Sequence, residues 1–201
     1  MTNYERSACP QSSPWGAIQD KRELAPGIWS VSTASHGGIK LSRERNAAVP
    51  KYMRAEAGWY EEDCQWSVAA VIHPIAFQRM IKIEGRPDKS EYEIAVETFR
   101  GWYPDEYEQF FDVKLKRGES RARDERLFQI ENGVNFVVSS AWGDWAHWVP
   151  KDMVGVCARR ESDKLEKWFL VDAPLYQKRG NFGFVIDLTR DLEIPKPERP
   201  Q

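Results

Sequence analysis

Cysteine and histidine are both scarce, with three of each in 201 residues. Cys9, Cys64 and Cys157 stand far apart and form no CxxC pair, so neither a zinc knuckle nor a dithiol redox motif is encoded. They read as reduced thiols of a cytoplasmic protein. His36, His73 and His147 form no HxH or HxxxH pair, so a zinc site would need scattered ligands. No metal ion and no cofactor is expected. Long hydrophobic runs are also missing. The longest, Val68 to Ile72 with its flanks, falls far short of the ~20 residues of a bilayer span, so a membrane partner is not expected. Residues 1–14 are polar and rich in Ser and Pro, without the apolar core of a secretory signal. Neither sign of charge prevails: 29 Lys plus Arg face 31 Asp plus Glu, a net charge of -2. That balance argues against a histone-like polycation and against a strongly acidic mimic of DNA. No internal repeat is visible.

What is present can build a core. The chain is 41% hydrophobic and 12% aromatic, with nine Trp, which sets it apart from disordered or low-complexity sequence. Its length suits a single domain, placed over residues 15–194 between a flexible N-terminal segment, 1–14, and a Pro-rich tail, 195–201.

Alternation and β-branching predict a strand from Ile28 to Thr33, a turn at Ser35-His36-Gly37-Gly38 and a short returning strand at Ile39-Lys40-Leu41. Adjacent glycines are expected to break pairing there and to put His36 on a turn. Ser42 caps a short helix that Pro50 stops. Tyr60 to Ile72 reads as a helix with Glu61, Glu62 and Asp63 in its first turn, an apolar stripe at Cys64, Val68, Val71 and Ile72, and Pro74 as terminator. Ser90 and Glu93 have capping-box spacing at the start of another helix that Gly101 closes, and Pro104 opens the next. The charged stretch from Lys114 continues as helix toward Ile130, with a hairpin turn at Glu131-Asn132-Gly133 as the alternative. Residues 135–142, 153–159, 167–172 and 182–188 have strand composition. The fold class is therefore α+β, with helices mainly in residues 43–130 and an antiparallel sheet from the C-terminal half joined by a short N-terminal hairpin.

Ser35-His36-Gly37-Gly38 is the leading candidate for chemistry: a turn offers an imidazole and free backbone N–H groups, a geometry that holds anions. The alternative is a polar turn whose histidine caps a carbonyl. Glu61, Glu62, Asp63 and Cys64 could meet His36 as acid–base partners, as metal ligands or as a Cys–His pair. Equally, the acids compensate a helix dipole and Cys64 packs in the core. Trp142-Gly143-Asp144-Trp145-Ala146-His147-Trp148 concentrates aromatics in one loop. Trp142, Asp144, Trp145, His147 and Trp148 are its candidate binding residues, either for stacking or for a protein interface, or else the loop folds back over the core. Residues 114–126 hold six basic side chains and residues 91–112 seven acids. Contact with nucleic acid is one reading of the basic stretch, and solvated helix faces explain both.

Three groups of residues carry a family resemblance. The first is Trp15-Gly16 with Gln19, Pro26-Gly27-Ile28, and Val31-Ser32-Thr33-Ala34-Ser35-His36-Gly37-Gly38. The second is Trp59-Tyr60-Glu61-Glu62-Asp63-Cys64 with Trp66. The third is Ala141-Trp142-Gly143-Asp144-Trp145, Val149-Pro150, Met153-Val154-Gly155-Val156, Trp168-Phe169-Leu170-Val171 and Phe182-Gly183-Phe184-Val185-Ile186-Asp187. Together they resemble an uncharacterised proteobacterial domain-of-unknown-function family carried on plasmids, prophages and integrative elements. The resemblance implies an accessory protein of a mobile element and brings no catalytic residues. Two other patterns fail: Thr33-Ala34-Ser35-His36-Gly37 lacks the helix and first glycine of a nucleophile elbow, and in Ser32-Thr33-Ala34-Ser35 the third serine is displaced from its place in the Ser-Thr-Ser strand of mono-ADP-ribosyltransferases.

Two functions are expected from these features. One is a mobile-element accessory protein in the cytoplasm of a bacterial host, possible in counter-defence, that binds a host protein through the acidic helices and the tryptophan loop. The other is a hydrolase or transferase using His36 with a carboxylate from Glu61, Glu62 or Asp63.

Overall fold

The computed structural model describes residues 8–82, 84 and 87–198. Its backbone divides between Arg123 and Asp124 into two compact units, set within the span that the sequence reading treats as one domain. The first part of the expected flexible segment, residues 1–7, and the end of the Pro-rich tail, residues 199–201, lie outside the described residues.

The first unit begins with a small hairpin, β1 (Ser12–Ser13) and β2 (Gly16–Ala17). Next comes a four-stranded antiparallel sheet in the order β3 (Asp20–Ala25), β4 (Ile28–Ser32), β5 (Gly37–Leu41), β6 (Trp59–Glu61). The expected β4–β5 hairpin is the middle of that sheet. β3 was not legible because it is a polar edge strand, mostly Asp, Lys, Arg and Glu, and such residues keep sheet edges from pairing further.

Between β5 and β6 lies α1 (Arg43–Ala47), where Ser42 accepts the Arg45 N–H at 3.2 Å as a side-chain cap. α2 (Trp66–Ile72) ends before Pro74, as expected. A two-residue ladder of β7 (Met80–Ile81) and β8 (Lys89–Ser90) leads into α3 (Glu91–Trp102). There Ser90 and Glu93 form the complete capping box. Pro104 opens α4 (Pro104–Phe111), and α5 (Arg121–Glu131), which runs across the division between the units, starts only after an irregular stretch where the sequence predicts helix. The core of this unit joins Ile28, Leu41 and Tyr60 of the sheet side to Ala69 of α2 and Phe99 of α3, all essentially inaccessible.

The second unit holds β9 (Phe136–Trp142), β10 (Met153–Arg160), β11 (Glu166–Asp172), α6 (Ala173–Gln177) and β12 (Leu192–Ile194). The sheet order is β12-β11-β10-β9, all antiparallel. Its core is Phe136, Val156, Phe169 and Val171. The expected strand at 182–188 is instead a segment that touches β9 through one bridge, Val137 to Val185, and then turns at Asp187. Asp187 takes the Thr189 N–H at 2.9 Å, and that turn stops the segment from extending its pairing. The α+β class stands, with helices mainly in 43–130 and the sheet of the C-terminal half as expected. Among the described residues, no helix is long and apolar enough to cross a membrane.

Candidate functional site

The turn from β4 to β5 is closed by Thr33. Its N–H and hydroxyl both donate to the His36 carbonyl, at 2.7 and 2.8 Å, and the hydroxyl accepts the His36 N–H at 3.1 Å. Ala34 and Ser35 form the exposed tip, and His36 stands on a turn as expected, its side chain 54% exposed.

Gly37 and Gly38 do not break the pairing. They are buried inside β5, opposite Ser32 and Val31, so they form a strand and not an anion-holding turn. The reason for glycine is space. A Cβ on Gly38 would overlap the Tyr60 carbonyl oxygen and lie 2.5 Å from Trp15, and one on Gly37 would lie 2.5 Å from Glu62 Oε2.

The acids after Tyr60 are not in the first turn of a helix. Trp59, Tyr60 and Glu61 pair with Lys40, Ile39 and Gly38 as β6. Tyr60 is buried, with its hydroxyl donating to Asn46 at 2.7 Å, and this aromatic anchor in the sheet outweighs the local helix preference of the acids. Glu61 consequently projects beside the turn, its Oε1 3.9 Å from His36 Nδ1. Its Oε2 accepts the Asp63 N–H at 2.7 Å, whereas Oε1 is buried and has no hydrogen bond. The Glu62 N–H extends the ladder to the Gly37 carbonyl at 3.1 Å. One ligand atom each from His36, Glu61 and Glu62 lie within 4.8 Å of one another.

Asp63 and Cys64 stand apart from this group. Asp63 is exposed and bonded through its backbone. Cys64 Sγ lies 3.2 Å from the Tyr103 hydroxyl at the end of α3, which argues against the Cys–His pair. Burial, and after it the bond to Cys64, pushes the Tyr103 hydroxyl above its ordinary pKa, so the phenol keeps its proton.

Glu62 also borders a groove of about 310 Å³, the part of the site that sequence reasoning missed. Ser30 and Ser32 of β4, Arg22 of β3, Trp66 and Phe77 line it together with Arg79, whose guanidinium is 2.5 Å from the Glu91 carboxylate. Alternation in Trp59-Tyr60-Glu61 is the one pattern that could have put Glu61 on a strand. Nothing local joins Arg22 to Glu62, because sheet pairing brings them to one groove.

The tryptophan loop divides. Trp142 stacks on Trp168 of β11 at 5.0 Å between ring centroids, and Trp148 meets both at 5.6 and 5.7 Å. Those two are structural in large part. Asp144 and His147 are exposed, and Trp145 is 77% exposed at the tip.

In the basic stretch, Lys114 Nζ bonds Glu108 at 2.8 Å and Arg123 pairs with the same carboxylate, while the Leu115 N–H donates to it at 2.8 Å. These donors hold the Glu108 carboxyl down at about 2. At least two of the six basic side chains therefore serve the fold, which weakens the nucleic-acid reading.

Residues 8–132 match the family model described as Domain of unknown function (DUF7007), and with more than half of the sequence inside the match, the chain belongs to that family. The His36, Glu61 and Glu62 group and the groove lie within the matched residues, and the tryptophan loop lies outside them. No curated protein and no solved structure gives a significant match.

Proposed function

We propose that this member of the DUF7007 family is a hydrolase or transferase whose reacting groups are His36 and the carboxylates of Glu61 and Glu62. The observation that carries the reading is the buried, undonated Glu61 Oε1 facing His36 Nδ1 at 3.9 Å. A small side-chain rotation would bring this carboxylate within hydrogen-bond reach of Nδ1, where it would orient the imidazole and leave the other nitrogen to take or give a proton. The adjoining groove supports the reading with room for a small substrate, and its serines and Arg22 suit a polar group. Gly37 and Gly38 serve by letting β6 and Glu62 approach β5 closely.

The test is a panel of activated esters, phosphomonoesters, phosphodiesters and glycosides, with acyl and phosphoryl donors, run on wild type and His36→Ala. Turnover in one class, lowered about 10²- to 10⁴-fold by His36→Ala, is the expected result. A folded wild type inactive on every class, or a fully active His36→Ala, overturns the reading.

A second reading is the accessory protein of a phage or plasmid, acting in the bacterial cytoplasm by binding a host protein, for instance one of a defence system. Its support is the exposed indole of Trp145 on a loop that two other tryptophans hold in place. This reading predicts that Trp145→Ala abolishes the phenotype that the protein confers on its mobile element while His36→Ala preserves it. The opposite pattern favours the enzyme.

A further inference from the structure

We infer that His36, Glu61 and Glu62 bind a single divalent transition-metal ion, of the Mn²⁺ or Zn²⁺ kind. The inference rests on the enzymatic reading of the same site and deepens it by naming a cofactor class.

Three independent pieces of chain geometry converge. The first is proximity: one donor atom from each residue lies within 4.8 Å of the others. Donors at about 2.1 Å from one ion stand roughly 3.0 to 3.4 Å apart, so small rotations of the exposed His36 and Glu62 side chains close the set. The second is backbone support. Thr33 fixes the His36 end of β5, Gly38 pairs with Glu61, and the Gly37 carbonyl accepts the Glu62 N–H, so Glu61 ends one of two adjacent, hydrogen-bonded strands and His36 and Glu62 directly flank them. The third is the state of Glu61. Its Oε1 is removed from water without a donor, and the His36 imidazole stands 3.9 Å away, beyond hydrogen-bond reach. A carboxylate oxygen in that position is destabilised unless a cation faces it.

The donor set selects the kind of ion. One imidazole nitrogen and two carboxylate oxygens suit borderline to hard divalent ions and disfavour Cu(I), which prefers sulfur. Two carboxylates also balance the charge of a divalent ion. Three protein ligands leave positions for water or substrate, the pattern of catalytic and not structural sites. Because Glu62 lines the groove, an ion held by it borders the space proposed for substrate.

Isothermal titration of the EDTA-stripped full chain with MnCl₂, repeated with ZnCl₂, tests the inference. Mn²⁺ is the decisive probe because the thiols compete poorly for it. One equivalent is expected to bind, with His36→Ala and Glu61→Gln each weakening the affinity tenfold or more. Asp63→Asn and His147→Ala, outside the donor set, are expected to leave it unchanged. Circular dichroism of each variant separates lost binding from lost fold, and Glu62→Gln provides a further ligand variant on the exposed side. Absence of saturable binding by a folded wild type, or unchanged binding by a folded His36→Ala, overturns the metal site. Turnover that persists in EDTA and needs His36 overturns the metal site and keeps the enzyme. Stoichiometric binding that needs His36, with no turnover on any substrate class, keeps the site and counts against the enzyme.

Discussion

Glu61 faces Gly38 across the β5–β6 ladder, and that pairing carries its carboxylate to the side of His36 two residues before Gly38 on the neighbouring strand. A residue with any side chain at position 38 would push the strands apart, because a Cβ there overlaps the Tyr60 carbonyl and crowds Trp15. The proposed site and the packing of the sheet thus depend on the same glycine.

Gly38→Ala is expected to destabilise the protein by about 1 to 3 kcal/mol, the range for forcing atoms into a filled interior. Gly101→Ala is its control. A Cβ on Gly101 meets nothing within 4 Å and the residue lies inside α3, so alanine there should stabilise by about 0.5 to 1 kcal/mol. Urea unfolding of both variants, followed by helical circular dichroism, should give opposite signs.

Ser90→Ala removes the hydroxyl that accepts the Glu93 N–H at 3.2 Å in the capping box of α3. A loss of about 0.5 to 2 kcal/mol is expected in the same assay.

Trp142→Ala and Trp145→Ala should part company. The first removes a ring stacked on Trp168 at 5.0 Å, with an expected cost of about 2 kcal/mol or more. The second removes a ring that is 77% exposed, with an expected change within about 0.5 kcal/mol. Thermal melts monitored by near-ultraviolet circular dichroism measure both.

Acid should destabilise the first unit through Glu108. Its bonds to Lys114, the Leu115 backbone and Arg123 lower its pKa from the ordinary 4.5 to about 2 in the fold. A carboxyl that binds its proton more weakly when folded contributes stability above the unfolded value and loses it as pH falls through the folded one. Buried His73 acts in the same direction: burial lowers its pKa from 6.5, so protonation on acidification favours the unfolded chain. The melting temperature of wild type should therefore fall between pH 4.5 and 2 more steeply than that of Glu108→Gln.

Local devices were legible in the sequence. Ser42 as a cap, Ser90 with Glu93, Pro74 as a stop and Pro104 as a start each act within a few residues, and each is found where the pattern puts it. Three of the four strands expected in the C-terminal half appear as β9, β10 and β11 for the same reason, their β-branched and aromatic runs. What was not legible depends on pairing between distant segments. Glu61 to Asp63 look like a helical first turn until Tyr60 is seen anchored in the sheet. Residues 182–188 have strand composition but meet β9 through a single bridge before the Asp187 turn, and the strand follows at Leu192. The site itself divides in the same way. His36 on a turn was readable, whereas its closest carboxylate and the groove with Arg22 exist only after β3 to β6 assemble.

The measurement that bears most directly on the account is anomalous diffraction from crystals of the full chain soaked in MnCl₂. The account predicts one strong anomalous peak bonded to His36, Glu61 and Glu62, at about 2.0 to 2.3 Å from each donor. Crystals that keep the β4–β5 turn and β6 as described, yet show no peak between these three side chains, would contradict it.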